Sequence, residues 1–196
     1  RASGARPLPS LALSFAPMAR RLIVGLGHPG KEYEGTRHNA GYRLVERCAE
    51  TQRIALKKES KYYGFAGRDE ASGTWLLMPT TFMNLSGKSV AALAGFFKIA
   101  PAEILVAHDE LDFLPGVVKM KLGGGVGGHN GLKDIAAHLG SNDFWRLRFG
   151  IGHPGDRDLV SDYVLGKPSK LDREAIEETI DRALEILPLA ISGEVE

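Results

Sequence analysis

Short apolar runs, each broken by glycine or by a polar loop, constrain this chain more than any other feature. "RRLIVGL", "YYGFAGR", "TWLLMPT", "EILVAHDE", "GVVKMKL" and "WRLRFGIG" read as strands by length and by β-branched and aromatic content. Between them lie segments with helical spacing: "NAGYRLVERCAETQ", "LSGKSVAALAGFFKI", "GLKDIAAHLG" and a last helix over about 170–187. "SDYVLGKP" reads as a short extended piece or lid. Alternating strands and helices, with some strands adjacent, predict a single α/β domain with a twisted mixed β-sheet flanked by helices. In such sheets ligand sites gather at strand ends and in the loops beyond them.

Three segments match G-x-G-x-x-G, at Gly25–Gly30, Gly123–Gly128 and Gly150–Gly155. A dinucleotide fingerprint needs a strand before it and a helix opening at its end. The first runs on into "KEYEGTRHN", with no helix expected before Asn39, so a pyrophosphate would lack a helix N-terminus. The second matches almost by composition, and the third leads into "DRDLVSD". "SGKS" at 86–89 has Phe82 where a Walker A loop needs its first glycine. No G-x-S-x-G or H-E-x-x-H occurs, and Cys48 is a single thiol on a helical pattern, read as a small core residue. No cofactor and no metal is required by any motif.

The loops that remain carry His38, Asn84, Asp109 and Asn130, in "GLGHPGKEYEGTRHNAG", "PTTFMNLSGKS", "LVAHDELDFLPG" and "KLGGGVGGHNGLKD". Singly, each has a plain explanation: Asn39, Asn84 and Asn130 as helix caps, Asp109 as a turn residue. Together they describe water-activating chemistry. A histidine with a pKa of about 6.5 takes a proton from water at neutral pH. A carboxylate on its other nitrogen fixes the tautomer, and amides offer donors to an oxyanion. His129 and His153 either support the site from behind its reacting groups or simply pack, and packing is the expectation. The net charge of +1 sets up no global field, but Lys119, Lys121, Lys133, Arg146 and Arg148 face only Asp134 and Asp143 between Pro115 and Gly150, a local basic patch.

In order and spacing, "LIVGLGHPGKEYEGTRHNAG", "PTTFMNLSGKS", "ILVAHDELD", "KLGGGVGGHNGLKDI", "RLRFGIGHPGD" and "YVLGKP" resemble the bacterial-type peptidyl-tRNA hydrolase family, from about Arg21 to beyond Lys167. The resemblance implies a monomeric α/β enzyme that uses no cofactor or metal, and the single Cys48, which cannot form an internal disulfide, points to a reduced cytoplasmic setting. It implies cleavage of the ester joining a peptide to the tRNA 3′ ribose, recycling the tRNA. By position His38 is the implied catalytic base, Asp109 its carboxylate partner, and Asn130 the amide that places water or oxyanion. His28, Tyr33, Met83 and Asn84 fall at substrate-binding positions. Lys121 and Arg148 fall where the family holds the tRNA 5′-phosphate, so the partner is peptidyl-tRNA through its acceptor stem and 3′ end, with no membrane.

Family members usually read "GLGNPG" where this chain has His28. That predicts retained activity with weaker substrate positioning and a steeper loss on acidification. The alternatives are a non-catalytic tRNA-binding relative weakened by His28 and, more distantly, a nucleotide-dependent oxidoreductase. Residues 1–17 mix Arg, Ser, Pro and Ala without an acid and are expected to be leader or upstream sequence, with the domain spanning 18–196. The end, "ISGEVE", is shorter than in many relatives.

Overall fold

A computed structural model describes residues 20–192. The expectation for residues 1–17 lies outside them. Seven strands form one mixed sheet: β1 (Leu22–Gly25), β2 (Lys57–Glu59), β3 (Gly64–Arg68), β4 (Trp75–Pro79), β5 (Ile104–Glu110), β6 (Val118–Leu122) and β7 (Trp145–Gly150), in the order β2-β3-β4-β1-β5-β7-β6. The middle four are parallel, and β2, β3 and β6 run antiparallel to their neighbours. β1, β4, β5 and β7 therefore end on the same rim, the position expected for a ligand site.

Helices cover both faces. α1 (Ala40–Gln52) and α5 (Lys170–Ser192) pack on one, around Ile23, Leu44, Leu105 and Ile180; α2 (Ser86–Phe96) and α3 (Asn130–Leu139) pack on the other, around Val24, Val90, Val106 and Ile135. These side chains alternate along β1 and β5 as a doubly covered sheet requires. α1 lies unusually close to the sheet. A Cβ on Gly41 would stand 2.2 Å from the Ala107 carbonyl oxygen, so only glycine admits that approach. The contact seats the turn before α1, which carries His38, beside the end of β5, which carries Asp109.

Three readings of the sequence are corrected. β2, a three-residue edge strand of Lys57, Lys58 and Glu59, was not expected, because it has no apolar signal to give. "SDYVLGKP" is helical at its start: α4 (Val160–Leu165) packs Val164 inward, with Gly166 ending it. α5 continues through Pro188 to Ser192, beyond the predicted end near 187.

Candidate active site

His38 lies in a 3-10 turn, Arg37–Asn39, directly before α1. Its Nδ1 is 2.9 Å from each carboxylate oxygen of Asp109, whose side chain is 2% exposed. Burial opposes the charge on Asp109, but His38 and His129 on either side override it and hold the carboxyl well below the usual range. An ionised Asp109 only accepts, so Nδ1–H of His38 must donate. That leaves Nε2 with a lone pair, no hydrogen-bond partner among the described residues, and a side chain 13% exposed. Burial alone would lower the His38 pKa; the Asp109 charge and hydrogen bond outweigh it and lift it above its ordinary value. The pair is a proton acceptor with a fixed tautomer.

His129, expected to be a packing residue, belongs to this constellation. Its Nε2 is 2.9 Å from Asp109 Oδ1, and its Nδ1 accepts the Leu132 N–H as the N-cap of α3. The helix N–H fixes Nδ1 as acceptor, so Nε2–H donates to Asp109. A histidine at the mouth of a helix, one residue before a suspected amide, was the available signal. His108 lies on the other side of His129, ring centres 5.1 Å apart, with Nδ1–H donated to the Asp109 carbonyl. Burial first, then the neighbouring His129, push its pKa down to about 3, so it stays neutral.

His28, His38, Met83, Asn84, Asp109, Lys121, Asn130 and Arg148 all line one open cleft of about 1050 Å³. Tyr33 stands behind His28, ring centres 4.9 Å apart. Asn84 and Asn130 are exposed, and neither side-chain amide has a protein hydrogen bond among the described residues. Neither caps a helix: α2 has Leu85 at its N-cap and α3 has His129. The two segments that carry these amides meet at Met83, whose sulfur would lie 2.7 Å from a Cβ on Gly131. Glycine at that position lets the two loops touch.

Asn39 holds the N-cap position of α1, but its side chain makes no cap bond. Its Oδ1 accepts the His28 N–H at 2.7 Å and its Nδ2 donates to the His28 carbonyl at 3.0 Å, clamping that peptide against the His38 turn. The His28 ring sits 5.1 Å from that of His38. Burial first, then His38, lower its pKa, while that of His38 is raised. On acidification His38 therefore takes the first proton. His153, also expected to pack, is exposed on the cleft rim with Nδ1 accepting the Gly155 N–H.

The basic patch is real and ordered. Lys119 pairs across strands with Arg148, and Lys121 with Arg146, so all four cations share one sheet face. Like charges in such register repel. Glu110 relieves Arg148, holding it at 2.5 and 3.1 Å, and the Phe113 ring lies under both Arg148 and Lys119. The glycine run leaves β6 where β7 begins, tied by the Gly123 N–H to the Phe144 carbonyl, and returns across this face to the rim. Because β6 is antiparallel, its end lies on the opposite rim from the ends of β1, β4, β5 and β7, not on the shared rim that the sequence suggested.

His38 Nδ1, Asp109 and His129 Nε2 lie within 4.8 Å of one another, a span a small metal ion bridges. Here those atoms are already committed to each other by N–H···O bonds, the arrangement of a base and its orienting groups. A sheet rim carrying a proton acceptor, unpaired amides and a row of cations defines a hydrolase acting on an anionic substrate.

Similarity is specific and long. The family model for peptidyl-tRNA hydrolase matches residues 22–196. The peptidyl-tRNA hydrolase of Aromatoleum aromaticum is 56% identical over 176 residues, 90% of each chain. That of Thiobacillus denitrificans is 58% identical over 184 residues, 93% of this chain and 89% of its own. The crystal structure of the Acinetobacter baumannii peptidyl-tRNA hydrolase superposes with a TM-score of 0.86 at 50% identity, covering 88% of this chain and 89% of that one. The chain belongs to the peptidyl-tRNA hydrolase family. Among the described residues no helix is long and apolar enough to cross a membrane.

Proposed function

We propose that this chain hydrolyses the ester between a peptide and the 3′ ribose of tRNA, with His38 as the base that activates water. The observation that carries the reading is the bond from His38 Nδ1 to buried Asp109, which leaves Nε2 free to act. Nε2 takes a proton from water, and the hydroxide adds to the ester carbonyl. Asn130 and Asn84 offer amide N–H groups to the oxyanion that forms. The intermediate collapses, the C–O bond to the ribose breaks, and the imidazolium returns its proton to the 3′ oxygen. Base catalysis supplies about 10²–10⁴-fold. An oxyanion donor supplies roughly 10²–10³-fold more.

His28, Tyr33, Met83 and Asn84 position the peptide and the terminal nucleoside. Lys121 and Arg148 hold the 5′-phosphate of the acceptor stem, a contact that fixes register and weakens with salt. The catalytic unit is residues 18–196, acting as a monomer in the cytoplasm. A non-catalytic tRNA-binding relative is not favoured, since the His28 ring leaves the His38–Asp109 bond intact.

Incubation with N-blocked aminoacyl-tRNA in ¹⁸O-water tests the reading. Attack by water puts the label in the released carboxylate and none in the ribose. tRNA binding without release over background would reject the hydrolase and favour the binding module.

A further inference from the structure

The proposed chemistry leaves Arg146 without a task. Its side chain is one of the largest fully buried in the protein, on the sheet face below the cleft. Burying a guanidinium is costly unless its donors are satisfied. Among the described residues no carboxylate lies within ion-pair distance of it, Asp143 and Glu110 acting only from farther off, and its Nε has no hydrogen-bond partner. Instead Nη1 donates to the Gly125 carbonyl at 2.6 Å and Nη2 to the Asn142 carbonyl at 3.0 Å, with the guanidinium 4.5 Å over the Phe144 ring. Gly125 is the middle of the glycine-rich loop. Lys121, on the neighbouring strand, touches the loop one residue earlier: a Cβ on Gly124 would lie 2.7 Å from its Nζ.

Residues 123–128 include five glycines, and Gly123, Gly124 and Gly127 have positive φ. Such a segment has little conformational preference of its own and loses much entropy on being fixed. Its far end carries chemistry. The Val126 carbonyl accepts the His129 N–H, His129 donates to Asp109, and Asn130 opens α3 at the cleft. An anchor at Gly125 thus sits four residues before the group that bonds the catalytic carboxylate.

We infer that Arg146 is a positioning residue: it anchors the glycine-rich loop at Gly125 and so sets His129 and Asn130 against Asp109 and the cleft. The inference rests on the reading of His38, Asp109 and Asn130 as the hydrolytic site. Arginine suits the task because its planar fork reaches carbonyls in two different loops, which a single ammonium cannot do with the same geometry.

A cation in this row has an obvious rival role, contact with the tRNA phosphate, and substrate choice separates the two. Arg146→Lys and Gly124→Ala are assayed at saturation on N-blocked aminoacyl-tRNA with and without its 5′-phosphate. Gly124→Ala strains the same loop one residue before the anchor, where φ is +91° on an exposed surface, and decides the matter if Arg146→Lys melts early; because its Cβ also pushes on Lys121, Lys121→Gln is the control for that contact. Both variants are expected to lower kcat on both substrates by a similar factor, roughly tenfold or more. Amide exchange across 123–130 rises with the loss. Lys121→Gln raises KM only on the phosphorylated substrate. A defect of the Arg146 and Gly124 variants that vanishes on the substrate lacking the phosphate makes Arg146 a phosphate contact and overturns the proposal. So does an undiminished kcat on both. If the parent cleaves neither substrate, the hydrolase reading itself has failed.

Discussion

Asp109→Asn isolates the role of the buried carboxylate. Asp109 accepts from two imidazole N–H groups, His38 and His129, at 2.9 Å each. Asparagine keeps one acceptor oxygen, which at the Oδ1 position still reaches both N–H groups, but it sets an NH₂ that only donates 2.9 Å from His38 Nδ1. Either one imidazole N–H faces a donor, or His38 turns to the tautomer that carries its proton on Nε2 and cannot accept from water. The second loss is electrostatic. An imidazolium and a carboxylate at this distance attract by roughly 6 kcal/mol at an effective dielectric constant of about 20. The imidazolium forms only during reaction, so this falls on the barrier. Part of it is offset, because burial already opposes the Asp109 charge. The expected drop in kcat is therefore about 10³–10⁴-fold, or about 4–5 kcal/mol, the size known for the equivalent change in a serine protease triad. The pH profile carries an independent sign. The carboxylate raises the His38 pKa and burial lowers it, so removing the carboxylate moves the acid limb to lower pH. Release from N-blocked aminoacyl-tRNA is measured across pH 5 to 8 (roughly the His titration range), with circular dichroism to check the fold. A loss under about tenfold, or an acid limb that does not move, would refute the assignment.

His129→Ala removes both a donor to Asp109 and the N-cap of α3. It is expected to lower kcat about tenfold and to lose ~1 kcal/mol of stability by denaturant titration. His28→Asn leaves the acid limb of kcat where it is, because His38 protonates first; a limb that moves clearly would contradict the order of the two pKa values. Arg148→Gln weakens tRNA binding more than Lys121→Gln, because it leaves Glu110 unpaired beside the phosphate. Adding Glu110→Gln recovers part of the loss, and each lost phosphate contact lowers the slope of log K against log salt by about 0.7–0.9.

The sheet was legible because its central strands are doubly buried and leave continuous apolar runs; Leu22–Val24 and Ile104–Ala107 are fully covered. β2 was not, since an exposed edge strand of Lys and Glu needs only backbone pairing. α4 was hidden by a weak six-residue pattern between two Pro-Gly-rich stretches, and is secured by tertiary contacts: Tyr163 bonds the Ile151 carbonyl, and Arg37 stacks on its ring. His38 and Asp109 were legible as chemistry, but their pairing is set by a contact between Gly41 and Ala107 that no local pattern encodes. The place of His129 beside Asp109 was not legible because its partner is distant in sequence, and of the asparagines read as helix caps Asn39 holds its cap position while bonding the His28 peptide, whereas Asn84 and Asn130 line the cleft. The basic patch was readable on each strand; that the two strands share one face required the β6–β7 register.

The most direct test is single-turnover release of peptide from N-blocked aminoacyl-tRNA by the parent and by His38→Ala at neutral pH, with tRNA binding measured in parallel. Loss of the base should cut the rate constant by about 10²–10⁴-fold while tRNA affinity changes little. A His38→Ala protein that still releases peptide at near the parent rate would contradict the account at its centre.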